Sequence, residues 1–355
     1  MKTILVTGGA GFIGNNFVRL ALNKQPDWRI INLDALTYAG NPLSLEDLKD
    51  KFGRQYKFVL GNILDQELLK QIFNEEPIKY VVHFAAESHV DRSIQDPFAF
   101  IETNVTGTYR LLTAAHNAWM DQGSPSDFKF IQVSTDEVYG SLGAKGYFKE
   151  QTPYDPSSPY SASKAAADHL ARAWFKTYDF PTIVTNCSNN FGPYQFPEKL
   201  IPLMILNGIE KKELPVYGTG LNVRDWLYVV DHCDALMCVM EKGAAGQTYL
   251  IGGGTEQPNI TIVKTICSIL DSRFGRSGIS SSKNLIRFVT DRPGHDFRYA
   301  IDATKINEEL GWYSHYSFED ALTETVDWYL NNRKWVDSVR TGNYRKWIKK
   351  NYEKR

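Results

Sequence analysis

The chain is poor in cysteine: Cys187, Cys233, Cys238 and Cys267 are its four among 355 residues, all lie inside apolar segments, and no two form a CxxC pair. That leaves no disulfide framework and no thiolate zinc cage, and reads as reduced, buried thiols of a cytoplasmic protein. The seven histidines are scattered, so no His-based metal cluster emerges either. Long hydrophobic runs are missing: the longest, such as residues 80–86, fall far short of the ~20 that a membrane-spanning helix needs. The start, MKTILVTGG, has neither the length nor the small-residue cleavage site of a secretory signal, and reads as a mature terminus. An excess of one charge is missing too. With 40 Lys and Arg against 41 Asp and Glu the formal net charge is -1, which offers no basic face to nucleic acid or to a membrane. The densest basic run, Arg345, Lys346, Lys349, Lys350, Lys354 and Arg355, reads as a solvated helix end.

What is present is an alternation. Short β-branched runs at residues 2–7, 29–33, 57–60, 79–84, 129–134 and 182–186 are separated by helix-period segments. Strands separated by helices imply βαβ units, hence an α/β chain on a doubly wound parallel sheet of Rossmann type. Past about residue 190 the pattern loosens, with Gly-, Pro- and Asn-marked loops at 190–194, 217–220, 252–259 and 292–296 and helices at 197–208, 230–242, 260–274, 302–310 and 318–331. Because single cores rarely grow past ~300 residues, two unequal lobes are expected. Residues 1–190 form the sheet domain, with some later segments returning to it, and residues 191–355 form a smaller mixed α/β lobe. Residues 277–284 are polar enough for a mobile loop.

Directly after the first strand stands Gly8-Gly9-Ala10-Gly11-Phe12-Ile13-Gly14, followed by an apolar-periodic helix. Gly8 and Gly11 permit a tight turn and close approach of a pyrophosphate, Gly14 lets helix pack on strand, and the helix N-terminus offers unpaired N–H donors. A bare glycine turn would not need this strand-turn-helix setting. Asp34 closes the second strand about twenty residues later, where a carboxylate accepts from ribose hydroxyls. No Arg follows in Ala35-Leu36-Thr37 to meet a 2′-phosphate, so the cofactor is read as NAD rather than NADP.

The segment Pro159-Tyr160-Ser161-Ala162-Ser163-Lys164 opens a helix, so Tyr160 and Lys164 share a face at i and i+4. An ammonium near a phenol lowers its pKa from ~10 and prepares a base for an alcohol proton. The same spacing is common on surface helices, but Ser134-Thr135 closing a strand and the dinucleotide motif upstream favour the catalytic reading. Asp136 and Glu137 follow Thr135 directly. Two close carboxyls cannot both ionise cheaply, so one is held as an acid while the other serves as a base. Such a pair suits removal of a carbon-bound proton together with protonation of a departing hydroxyl. In the bland alternative they are two exposed acids in a turn. Spacing alone leaves the two roles interchangeable.

With GGAGFIG, Asp34, Ser134-Thr135 and YSASK in view, the chain resembles the extended short-chain dehydrogenase/reductases over nearly its whole length. The resemblance implies Thr135, Tyr160 and Lys164 as a triad moving a hydride between a sugar alcohol and nicotinamide. The element Thr135-Asp136-Glu137-Val138-Tyr139-Gly140 is similar to that of the family's nucleotide-sugar 4,6-dehydratases, which implies Asp136 as general acid, Glu137 as base and dTDP-glucose as the favoured substrate. By the same match Gly8, Gly11, Phe12, Ile13, Gly14, Asp34, Ala35, Leu36, Thr37, Asn62, Ile63, Ala85, Ala86, Ser88, Thr103 and Asn190, with Tyr160 and Lys164, hold the cofactor. Glu87, His89, Asn189, Lys199, Leu200, Pro215, Val216, Tyr217, Arg224, Asn259, Arg292 and His295 join Thr135, Asp136 and Glu137 around the substrate. Arg224 and Arg292 suit a diphosphate, against the alternative of ion pairs with Asp225 or Asp291; His89 and His295 are equally readable as structural. The chain departs from the family at Gly61-Asn62-Ile63, where Asp is usual; Asn still accepts, so NAD binding is expected with altered strength.

The rivals are a UDP-glucose 4,6-dehydratase, separated by one methyl on the base, and a UDP-sugar 4-epimerase, which has no use for the acidic pair. A non-catalytic NAD-binding or RNA-binding protein is disfavoured by the intact triad and the lack of a basic patch. The resemblance also implies a homodimer through the helices near 103–120 and 160–178.

Overall fold

A computed structural model describes residues 1–291 and 296–340; Arg292, His295 and the terminal basic run lie outside the described residues. The six expected strands form as β1 (Lys2–Thr7), β2 (Trp28–Asp34), β3 (Tyr56–Leu60), β4 (Ile78–His83), β5 (Lys129–Thr135) and β6 (Thr182–Cys187). After them come β7 (Asn189–Phe191), β8 (Leu214–Tyr217), β9 (Val223–Tyr228), β10 (Thr248–Ile251), β11 (Glu256–Pro258) and β12 (Ile286–Val289). The main sheet has seven strands in the order β10-β6-β5-β4-β1-β2-β3, and every pair in it is parallel.

Side chains alternate across that sheet. Ile4, Val6, Ile30, Tyr80, Val82 and Ile131 face one side with Phe17, Val18 and Ala21 of the first helix, while Leu5, Ile31, Leu33, Val81 and Phe130 face the other with Leu111, Leu112, Trp119 and Phe180. Both faces are covered, which is why these strands read as continuous apolar runs, and each fully buried aliphatic contributes about 1.5–3 kcal/mol. Chain order reverses across β1, which has β2 on one side and β4 on the other. Helices leave the strands there in opposite directions and open a crevice at the strands' C-terminal ends.

The later part of the chain adds a three-stranded sheet, β11-β9-β7, and the pair β12-β8, with helices at Leu200–Ile209, Asn259–Phe274 and Phe318–Asn331. Its apolar cluster is continuous with that of the main sheet, running from Ile4 to Leu203 and Leu270. Two expectations change. Residues 277–284, expected as a mobile loop, are folded into the 3-10 turns Gly278–Ser280 and Ser282–Leu285. Asp271 holds them by accepting from the Ser281 hydroxyl at 2.6 Å and the Ser282 N–H at 2.7 Å. The strands β7 and β11 lie in segments expected as loops, because their partner β9 supplies the pairing. All four cysteines are free, and among the described residues no helix is long and apolar enough to cross a membrane.

Candidate active site

Gly8 turns the chain out of β1 with φ of +76°, and a Cβ there would stand 2.6 Å from the Ala85 nitrogen. At Gly14 a Cβ would come within 2.3 Å of the Gly8 carbonyl oxygen. Both positions therefore need glycine to bring helix Phe12–Lys24 against the strand ends. That helix is N-capped by Gly11 with no side-chain hydrogen bond, which leaves its first-turn N–H groups directed at a ligand. Asp34 Oδ2 accepts from the Ala10 N–H and Oδ1 from the Leu36 N–H, each at 2.8 Å. The carboxylate thus fixes the glycine turn and the start of the next loop together, at the wall of the cavity.

One cavity runs along this crevice. It is lined by Gly8, Gly11, Phe12, Ile13, Gly14, Asp34, Ala35, Thr37, Asn62, Ile63, Ala85, Ala86, Glu87, Ser88, Thr103, Tyr160, Lys164 and Lys199 among the residues named from the sequence. A cradle closed to any Cβ at two glycines, an uncapped helix start and an acidic strand end fit a dinucleotide. Asn62 keeps its turn by accepting from the Leu64 N–H at 2.9 Å.

Helix Pro159–Tyr178 places Tyr160 in its first turn. Pro159 sits at its start, Ser158 and Ser161 form a reciprocal capping box, and Asp179 ends it in the left-handed region. Such a cap is worth about 1 kcal/mol. Tyr160 and Lys164 are buried. Lys164 Nζ donates to the Val133 carbonyl at 2.8 Å, and burial lowers its pKa while Asp168 opposes this. Burial, followed by the charges of Glu137, Cys187 and Asp136, pushes the Tyr160 hydroxyl well above its ordinary value, against a hydrogen bond with Thr135. This is opposite to the lowering expected from the i, i+4 spacing, because burial dominates, the acidic pair adds to it and the ammonium is turned to β5.

Thr135 caps the 3-10 turn Asp136–Tyr139, accepting from the Glu137 N–H and donating to Asp136 Oδ1, each at 3.3 Å. Asp136 is 1% exposed. Burial first, then Glu137 and Asp225, push its carboxyl well above the carboxylate range, against Arg224 and the Thr135 hydrogen bond. A buried carboxyl pushed upward beside Glu137 favours the proton-bearing form that the acid of an acid and base pair requires.

Other residues named from the sequence lie away from the cavity wall. Leu36 packs on the core and offers only its backbone N–H. Asn190 donates to the Ser188 carbonyl and meets His232 Nδ1, each at 2.9 Å. Val216 turns into the core, whereas Pro215 and Tyr217 alternate to the opposite side of β8. Leu200 opens its helix half-buried against the core. Asn189 and Asn259 each bury a side-chain oxygen that accepts from no donor among the described residues. Arg224 donates to the carbonyls of Val223, Asp296 and Phe297 at 2.8, 2.9 and 3.3 Å and lies over the Tyr299 ring. His89 lies 3.5 Å from Glu198. Tyr38, Gln195, Phe196 and Glu198 also line the cavity. Glu198 lies in the segment 197–202, whose resemblance to the family's nucleotide-enclosing part was the available signal; Tyr38, Gln195 and Phe196 were missed, and Tyr38 gave no signal.

The chain matches the family model described as GDP-mannose 4,6 dehydratase over residues 5–325. It is 53% identical to dTDP-glucose 4,6-dehydratase 1 of Escherichia coli (strain K12) over 363 residues, 99% of this chain and 99% of that one. It is similar to the crystal structure of dTDP-glucose 4,6-dehydratase from Bacillus anthracis str. Ames in complex with NAD, with a TM-score of 0.84 and 48% identity over 96% of this chain and 100% of the other. The dTDP-glucose 4,6-dehydratase of Streptomyces venezuelae, also solved with NAD bound, gives a TM-score of 0.85 and 44% identity over 95% and 99% of the two chains.

Proposed function

The chain belongs to the GDP-mannose 4,6-dehydratase family, and from that membership we propose that it converts dTDP-glucose to dTDP-4-keto-6-deoxyglucose as an NAD-dependent hydro-lyase. NAD takes the C4 hydride of the sugar and returns it to C6, so no net oxidation results. Tyr160, assisted by Lys164 and Thr135, accepts the proton of the C4 hydroxyl. The ketone at C4 acidifies C5, and Glu137 removes the C5 proton. Asp136 delivers its proton to the C6 hydroxyl, which leaves as water, and C5 is reprotonated when the hydride arrives. The single observation that carries the eliminating step is the buried Asp136 carboxyl, pushed well up by burial and by Glu137.

The proposal extends to the site. Residues of the crevice between β1 and β4 hold the dinucleotide, while residues 191–355 carry mainly the nucleotide-sugar end, through Lys199, Asn259 and Arg224 together with Asn189 just before them. Arg292 and His295 belong to the same proposal but lie outside the described residues. A homodimer through helices Thr108–Asp121 and Pro159–Tyr178 is supported by the exposed Ile101, Tyr109, Met120 and Tyr178; four free cysteines suit a cytoplasmic setting. The test is incubation with dTDP-glucose, UDP-glucose and UDP-galactose in deuterated water. Loss of water with deuterium at C5, fastest for dTDP-glucose, is expected; C4 inversion without water loss would refute dehydration.

A further inference from the structure

The face of helix Pro159–Tyr178 that carries Tyr160 and Lys164 continues for two more turns through Asp168 and Arg172. Asp168 is fully buried and gathers four donors: the Ser134 hydroxyl at 2.7 Å, the Tyr154 hydroxyl at 3.0 Å, and the amides of Asn186 and Gln132 at 3.2 and 3.5 Å. Arg172 donates to the Tyr154 oxygen at 2.8 Å and lies over its ring, which commits the phenolic proton to Asp168. A carboxyl ringed by donors acts only as an acceptor and is therefore ionised. Burial still leaves its pKa raised on balance, with Lys164, Ser134, Arg172 and Tyr154 opposing; the donors on both oxygens are what mark the charged form.

The groups around this charge are otherwise neutral or cationic. Burial holds the Cys187 thiol on β6 up and the His83 imidazole on β4 down to about 3, so both are uncharged. Burial likewise keeps Tyr139 and Tyr154 as phenols, and Asp136 is the protonated acid. Glu137 bears on Tyr160 rather than on Lys164.

When the Tyr160/Lys164 pair has lost one proton, it can exist as phenolate with ammonium or as phenol with amine. The two forms have the same net charge, and only the first can accept a proton from the C4 hydroxyl. We infer that Asp168 is the positioning residue that selects the first form, because its fixed charge stands one helical turn from Lys164 and two from Tyr160. A rise of about 6 Å against about 12 Å along the helix favours the phenolate form by about ten-fold at an effective dielectric of ~20. This rests on the proposed reading of Tyr160 as the C4 base.

The experiment follows nicotinamide absorbance in stopped flow after mixing the NAD-loaded protein with dTDP-glucose across pH, in a Glu137→Gln background that halts after C4 oxidation. Because burial holds the phenol up and the ammonium down, phenolate with ammonium is the minor form, so Asp168→Asn is expected to lower the plateau rate about ten-fold, with the acidic limb unmoved or shifted to lower pH, since the pair's overall proton affinity does not rise. Asp168→Glu is expected to recover part of the rate. A fall of less than about three-fold, or one with the acidic limb moved upward, overturns the inference. If Asp168→Asn does not fold, Asp168→Ser decides: it also removes the charge and must slow the plateau about ten-fold, and a rate equal to the parent overturns the inference. No NAD reduction by the parent itself would refute the proposed function, and the inference with it.

Discussion

Arg92 Nη2 lies 3.2 Å from Glu198 Oε2, and the same guanidinium sits 3.9 Å from the centre of the Tyr38 ring. Three segments distant in sequence are thereby pinned over the dinucleotide cavity, with Glu198 almost wholly enclosed. Arg92→Ala removes both contacts and takes away a charge that opposes the upward push of burial on Glu198. We predict a loss of about 1–3 kcal/mol in denaturant unfolding and faster release of NAD in equilibrium dialysis. Unchanged values for both would show that the contacts are incidental.

The acid and base roles predict different failures. Asp136→Asn and Glu137→Gln should each slow water loss by about 10²–10⁴-fold, while both still oxidise C4 and accumulate reduced cofactor on the protein. Tyr160→Phe should abolish that reduction as well. A single-turnover absorbance trace with product analysis distinguishes these outcomes, and normal turnover by Glu137→Gln would remove it as the base.

At Gly14 the obstacle to any side chain is the Gly8 backbone oxygen, which would stand 2.3 Å from an added methyl group, and not a flexible side chain. Gly14→Ala should cost about 1–3 kcal/mol of stability. It should also release NAD during purification, visible as a loss of the cofactor's absorbance relative to protein. Retained cofactor at full occupancy would contradict the close-packing account.

Asp225 gives a prediction in pH. Burial is the largest cause pushing its carboxyl up to about 6, against hydrogen bonds from Thr255, Ser188 and Gly253. The folded state therefore holds this proton more tightly than the unfolded chain. Its contribution is fully present below pH ~4 and is lost as pH rises through about 6. Asp225→Asn should remove about 3 kcal/mol of that decline. The check is the difference in unfolding free energy between variant and parent at several values from pH 4 to pH 7; parallel curves would contradict it.

The sheet was legible where burial on both faces forces unbroken apolar runs, as in Ile4-Leu5-Val6, and the dinucleotide turn where glycine is sterically required at Gly8 and Gly14. Strand β10 was not, since Thr248–Ile251 is short and its pairing comes from β6, about sixty residues earlier. The direction of the Tyr160 shift was not legible either. Spacing places Lys164 on the same face, but only the fold shows its ammonium donating to Val133 while Glu137 and Asp136 act on the phenol. Tyr38 and Glu198 reach the cavity through Arg92, a relation between three distant segments that no local pattern encodes.

The late arrival of β10 also bears on synthesis. Its partner β6 ends at Cys187, the strand end beside Thr135, yet the edge that covers β6 is supplied by residues 248–251. A chain still on the ribosome thus presents a finished dinucleotide turn next to an open, apolar sheet margin, which is prone to pair with other chains until the last strand docks. A fragment ending at residue 247 should accordingly aggregate where the whole chain does not, and light scattering of the two at equal concentration would decide it.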